Sequence, residues 1–157
     1  MTDFSIKDGI AHIQSDTLAN SWWTSTEYQE AVIGALGPTH TDDKRVVMTF
    51  EAKLGALMAA KSTGPELDAL LKQYLSDDYR QHDPTVGQGR EGLAQWLREV
   101  AVHFPGTPPP PVALIADGGL ISVLLSLRLP HISDAFIVTA FRVRDGRLVE
   151  HWSSASP

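Results

Sequence analysis

Two hydrophobic periods divide the chain. Between Asp42 and Phe104 apolar residues recur at three- and four-residue intervals, the spacing that lays one stripe along a helix. Val46, Val47, Phe50, Leu54, Leu57 and Met58 form one such stripe, on a helix starting near Asp42 or Asp43. Gly64-Pro65 opens the next helix, with proline in the first turn where its missing N–H costs nothing. Its stripe is Leu67, Leu70, Leu71, Tyr74 and Leu75. The stretch from Tyr79 to Gly89, punctuated by proline and glycine, reads as a connection between helices. A further helix follows Gly89, with Leu93, Trp96, Leu97, Val100 and Phe104 as its apolar face, and Pro105 closes it. Then the period changes. Pro108–Pro111 is extended and stiff. Strands are predicted over Val112–Ala116, Leu120–Leu129, Ala135–Arg144 and Arg147–Ser154. Asp117-Gly118-Gly119 turns between the first two, Pro130 breaks the second, and Asp145-Gly146 is a two-residue hairpin signal. Such short connections make the sheet antiparallel. Helices followed by strands is an α+β order, and it predicts a curved antiparallel sheet wrapping a small apolar pocket.

Residues 1–41 read differently. Asp3 to Asn20 show no clear period. Thr24 and Glu27 then form a capping box, with Trp23 and Tyr28 placed as its hydrophobic staple. A short helix runs from Ser25 to Leu36 and stops at Gly37-Pro38. This segment is too small to bury a core alone. The predicted organisation is therefore an N-terminal arm over 1–41 and a domain over 42–157. Trp22, Trp23 and Tyr28 are too apolar to be left in water. They are expected to clasp a partner subunit, to cover the mouth of the pocket, or to pack on their own domain.

Composition narrows the class. The chain has 157 residues, 43% hydrophobic and 20% charged, enough for one real core. Of the net charge of −6, the first 41 residues carry −4, from five acids and one lysine. Excess acid argues against nucleic acid, whose phosphates need clustered Lys and Arg, and against anionic membrane surfaces. There is no cysteine, which excludes disulfides and thiolate chemistry and suits a cytoplasmic location. No apolar stretch approaches the roughly 20 residues of a membrane span, and the start of the chain lacks the basic and apolar runs of a signal peptide. The six histidines, at 12, 40, 82, 103, 131 and 151, show no paired metal-ligand spacing. Phosphate-loop, dinucleotide and nucleophile-elbow motifs are absent too, so no metal and no cofactor is expected.

The last hairpin is the first place to look for chemistry. With a two-residue turn at Asp145-Gly146, Val143 opposes Leu148, Phe141 opposes Glu150 and Thr139 opposes Trp152. Cross-strand partners share a face, so Thr139, Phe141, Val143, Leu148, Glu150 and Trp152 are expected toward the core. A single β-bulge would put His151 there in place of Glu150. A glutamate on an apolar face has its charged form disfavoured, which moves it toward the range useful for proton transfer. The alternative is a plain ion pair with a nearby arginine. The second place is Gln81-His82-Asp83-Pro84. His82 is a candidate general base or donor to a carbonyl. Asp83 either orients it or starts the turn before Pro84. His82 and Glu150 are thus the catalytic candidates, expected to converge on one cavity. Thr139, Phe141, Trp152 and His151 are candidate pocket residues on the hairpin, with Leu124 on the strand before it. Tyr79, Gln81 and Trp96 complete that candidate lining, although Trp96 at helical spacing is equally a core residue.

The motifs YLSDDYRQHDPTVGQGREGL, ALIADGGLISV and AFRVRDGRLVEHW, in this order and spacing, resemble the SnoaL-like polyketide cyclase branch of the nuclear transport factor 2-like superfamily, over roughly Asp42 to Ser154. The resemblance implies a cystatin-like cone, with three helices packed into a curved mixed or antiparallel sheet. It also implies homodimers paired through the outer sheet face, and acid/base aldol chemistry on an apolar carbonyl ligand without metal or cofactor. Relatives include isomerases, hydrolases, dehydratases and non-catalytic binding domains, so the fold does not by itself settle function. Gln81-His82-Asp83-Pro84 stands where the branch has Gln-His-Asn-Pro, and Glu150-His151-Trp152 stands where it has the same triplet. Two positions depart. Thr139 stands where the branch usually has an acid, and Leu124 or Leu125 where it tends to carry histidine. These departures make a small-molecule binding domain the competing expectation.

Overall fold

In a computed structural model, residues 4–8, 10–13, 26–104, 106, 111–127 and 135–156 are described. Their elements run β1 (Phe4–Lys7), β2 (Ile10–Ile13), α1 (Thr26–Ala35), α2 (Thr41–Ala59), α3 (Pro65–Tyr74), β3 (Leu75–Gln81), α4 (Gly89–Ala101), β4 (Pro111–Asp117), β5 (Leu120–Leu127), β6 (Ala135–Arg144) and β7 (Arg147–Ser156). The strands form one sheet in the order β1-β2-β4-β5-β6-β7-β3. This is the expected α+β cone.

Each helix forms where its stripe lies. The α2 stripe buries Val47, Phe50 and Met58, and that of α3 buries Leu67, Leu70 and Leu71. Asp42 and Asp43 sit in the first turn of α2, where they complement the helix dipole. In α4, Leu93, Leu97 and Ala101 are buried. The strands alternate. Leu114, Ile121, Val123 and Phe141 are buried, while Ile115, Phe136 and Val138 are exposed. One sheet face therefore packs against the helices and the other is turned away from them.

The sheet is not wholly antiparallel. Residues 75–81 form β3, an edge strand running parallel to β7, with Gln81 opposite His151. The sequence pattern carries the helix through Leu75 and places Tyr79–Gln81 in a loop. The chain instead leaves α3 at Leu75, where ψ is 138°, and enters the strand directly. Leu75 and Ser76 are both buried and Asp77 and Asp78 both exposed, so the strand's residues alternate only over Tyr79, Arg80 and Gln81, too short a run to read. Its outward Asp77, Asp78 and Arg80 suit an exposed edge that must not recruit another strand.

Another addition lies in the arm. Phe4–Lys7 and Ile10–Ile13 form a hairpin that extends the sheet beyond β4, with Ile10 opposite Ile115. Four-residue strands are too short to show a period. The capping box and staple at Trp23, Thr24, Glu27 and Tyr28, the tryptophan pair Trp22 and Trp23, most of the Pro108–Pro111 run and the Pro130 break lie outside the described residues or side chains.

The loop after β3 is fixed by two devices. The Gln88 side chain mimics a neighbouring strand: its Oε1 accepts from Gln81 N–H at 3.1 Å and its Nε2 donates to Gln81 O at 2.7 Å. Gly87 also packs directly on Gly92 of α4, where a Cβ at Gly92 would lie 2.1 Å from the Gly87 carbonyl carbon. Gly92→Ala is therefore expected to lower stability by about 2 kcal/mol or more in urea denaturation. Gly34→Ala on α1, whose Cβ meets nothing within 4 Å, should instead raise stability by up to about 1 kcal/mol.

Candidate functional site

The turn at the last hairpin forms as expected. Asp145 and Gly146 have φ of 52° and 73°, the pair of positive values that a type I′ turn requires. Arg144 faces Arg147 and Val143 faces Leu148, but then the register shifts, so that Arg142 faces Glu150 and Phe141 faces His151. Val149 is the additional residue, a β-bulge. The structure thus takes the bulged alternative and corrects the plain two-residue register. His151 lies inside with Phe141, and Thr139 faces Ser153. Glu150 and Trp152 turn to the outer face. The desolvation cost explains the preference, because a neutral imidazole is far cheaper to bury than a carboxylate.

On the inner face, one row crosses the sheet through Ile121, Phe141, His151 and Gln81. The Phe141 and His151 rings stack with centroids 4.4 Å apart, and Phe50 from α2 meets Phe141 edge-on at 5.5 Å. Inside this apolar column runs a buried polar chain. Gln81 Nε2 donates to Tyr79 Oη at 3.0 Å and lies 2.9 Å from His151 Nδ1. His151 Nε2 is 2.8 Å from Thr139 Oγ1. Burial pushes the His151 pKa down to about 4, against the pull of Asp83, so the ring is neutral at pH 7. Burial also pushes the Tyr79 hydroxyl up, so it stays protonated. Of the expected pocket residues, Tyr79, Gln81, Thr139, Phe141 and His151 are therefore brought together on the inner face. Trp96 packs half-buried against the core. Leu124 is not in this group, because it faces the exposed Val138 on the outer side.

A further residue belongs to the interior. Glu51 lies four positions after buried Val47 and three before Leu54 on the inner stripe of α2. Among the described residues it has no hydrogen-bond or ion-pair partner. It keeps some accessible surface, yet burial pushes its carboxyl up to about 7. The sequence carries the signal, an acid interrupting an apolar helical stripe, but the apolar period alone does not single it out.

His82 and Glu150 do converge, but on each other and on the outer face. His82 Nε2 donates to Glu150 Oε2 at 2.8 Å, and Arg142 Nε donates to Glu150 Oε1 at 3.2 Å. The His82 ring stacks on Trp152 at 4.5 Å, with 3° between the planes. Glu150 has thus found its arginine, the plain ion pair that was the alternative to a buried acid. Asp83 does not orient His82. It accepts from the Thr85 amide and hydroxyl and from Ser153 Oγ, and these bonds hold its carboxyl below the usual range. Among the described residues no group of three or more ligating side chains is placed to hold a metal ion. No described helix is long and apolar enough to cross a membrane.

Residues 55–151 match the SnoaL-like domain family. A proposed SnoaL-like polyketide cyclase from Jannaschia sp. CCS1 superposes with a TM-score of 0.61 at 16% identity, over 76% of this chain and 89% of that one. A nuclear transport factor 2-like protein from Anabaena variabilis ATCC 29413 gives a TM-score of 0.61 at 11% identity, over 77% and 95%. A de novo designed protein with a curved β-sheet gives 0.55 at 16% identity, over 76% and 89%. No curated protein matches the chain. These structural likenesses establish the fold alone.

The buried imidazole has a consequence for stability. The His151 pKa lies below its ordinary 6.5, at about 4, so between these values the unfolded chain takes up a proton that the folded chain refuses. Stability is expected to be complete above about pH 6.5 and to fall by up to about 3 kcal/mol as the pH drops to about 4. Denaturant titrations across that range should show the slope, and His151→Gln should flatten it. An NMR titration in which the His151 ring stays neutral to about pH 4 checks the cause directly.

Proposed function

We propose that this chain, which belongs to the SnoaL-like domain family, is a cofactor-free acid/base catalyst of aldol cyclase or isomerase type acting on an apolar carbonyl compound. Glu51 is the proton-transfer group. The observation that carries the reading is a carboxyl on the inner stripe of α2 that has no partner among the described residues and is raised to about 7 by burial. Near neutral pH such a group divides between acid and base, and as a base it is stronger than a solvated carboxylate. The apolar column of Phe50, Phe141 and His151 supplies the dry surroundings in which proton abstraction beside a carbonyl is favoured. On this reading the His82–Glu150 pair belongs to the outer surface and takes no part in the interior reaction.

A binding domain without chemistry is the alternative. Thr139, and Leu124 or Leu125, favour it, since the resemblance implies an acid and a histidine at these positions. The two readings separate on 2-acetylnaphthalene in deuterated buffer. Wild-type protein should incorporate deuterium at the methyl group above the buffer rate, and Glu51→Gln should lower that rate about 100-fold or more. Uptake of the ketone without exchange overturns the chemistry and leaves the binding domain. An independent readout accompanies it. Glu51 is raised from 4.5 to about 7, so the folded state holds a proton that the unfolded state releases, and stability falls across that interval. Glu51→Gln should therefore stabilise the protein above about pH 7 and change little near pH 4.

We further propose that the chain forms a homodimer through the outer sheet face. Ile115, Phe136 and Val138 are exposed there, beside half-buried Leu124 and Trp152, and such patches mark association sites. Val138→Asp should yield a folded monomer in sedimentation experiments where wild type is dimeric. Equal masses for the two would overturn this.

A further inference from the structure

The buried polar chain has a direction, and the direction can be derived from one backbone group. Asp83 N–H can only donate, and it meets Gln81 Oε1 at 2.9 Å. That contact fixes the orientation of the Gln81 amide, because the reversed amide would set two donors face to face. The other end of the amide is therefore Nε2, which can only donate, so His151 Nδ1 must accept from it across 2.9 Å. A neutral imidazole carries its single proton on whichever nitrogen is not accepting. His151 consequently holds its proton on Nε2 and donates to Thr139 Oγ1 at 2.8 Å. The Thr139 hydroxyl is occupied as an acceptor, and its own O–H remains to be given. No described residue takes it. Thr139 is only 3% exposed and shares the inner face with Phe141, so bulk water is not the intended acceptor.

We propose that the Thr139 hydroxyl is a ligand-binding group, a hydrogen-bond donor that Asp83, Gln81 and His151 hold in one orientation for a carbonyl or enolate oxygen in the cone. Thr139 touches the ligand; Gln81 and His151 are positioning residues. The inference deepens the acid/base reading and takes from it only the carbonyl nature of the ligand. It gives the position where the resemblance implies an acid a different task, polarising an oxygen rather than moving a proton. A donor of this kind strengthens as charge develops on the oxygen and turns away ligands that present only N–H groups.

Three measurements test it, all reading binding or protonation rather than turnover. In labelled wild-type protein, nitrogen NMR should show His151 with Nδ1 unprotonated and Nε2 protonated; the opposite tautomer overturns the proposal. Carbonyl-labelled 2-acetylnaphthalene bound to Glu51→Gln protein should show a C=O stretch lowered by a hydrogen bond. Adding Thr139→Val should return the stretch toward its value in an apolar solvent. It should also weaken ketone binding about 5-fold to 10-fold while leaving the affinity for 2-ethylnaphthalene unchanged. Thr139→Ser should retain the shifted stretch. An unshifted stretch, equal loss for ketone and hydrocarbon, or no preference of the starting protein for the ketone each overturns the donor role. Glu51 is already neutralised in these proteins, so a missing deuterium exchange would sink the acid/base reading and leave this one standing.

Discussion

One extra residue in the last strand decides what this protein presents to its interior. The bulge at Val149 rotates everything that follows it, because strand side chains alternate with a period of two and a one-residue slip exchanges the faces. His151 turns in, while Glu150 and Trp152 turn out. The stacked Phe141–His151 column, the Thr139 contact and the outer His82–Glu150–Arg142 cluster all follow from that slip. With the plain register an acid would face the core with no cation beside it, a costly arrangement. The bulge gives that acid an arginine and a histidine at the surface instead.

The interior combines two kinds of polar group in different conditions. The Tyr79–Gln81–His151–Thr139 chain is internally satisfied apart from its terminal protons, and a satisfied buried network is rigid and specifying. Glu51 is the opposite case, an acid with no partner among the described residues that remains in place despite its cost to stability. Groups of that kind concentrate where chemistry or binding needs them. Under the proposed acid/base reading, a fixed donor and a dehydrated base would serve one carbonyl ligand together.

The fold carries little of this. A designed protein with a curved sheet shares the architecture at a TM-score of 0.55, so the cone arises from packing rules and turn chemistry without any inherited reaction. What distinguishes this chain lies in particular side chains. Thr139 replaces an expected acid, Glu51 interrupts a helical stripe, and Gln81 is locked by the Asp83 amide.

The sequence by itself determined the helices, the last four strands, the I′ turn and the family resemblance, because these rest on local periodicity and on turn residues with specific φ requirements. Its charge and lack of cysteine bounded the chemistry in the same way. It singled out Tyr79, Gln81, Thr139, Phe141 and His151, which the fold gathers on the inner sheet face, though it left open which neighbour on the last strand would face inward. Only the tertiary structure decided that question, since a bulge is chosen by burial and by the partners each face offers, not by the residues around the turn. Tertiary pairing also made a strand of residues 75–81, whose ladder lies entirely on β7, and of the short N-terminal hairpin that continues the sheet from β4. The direction of the proton chain to Thr139 was likewise beyond the sequence, because it depends on a backbone N–H meeting a side chain across a folded loop.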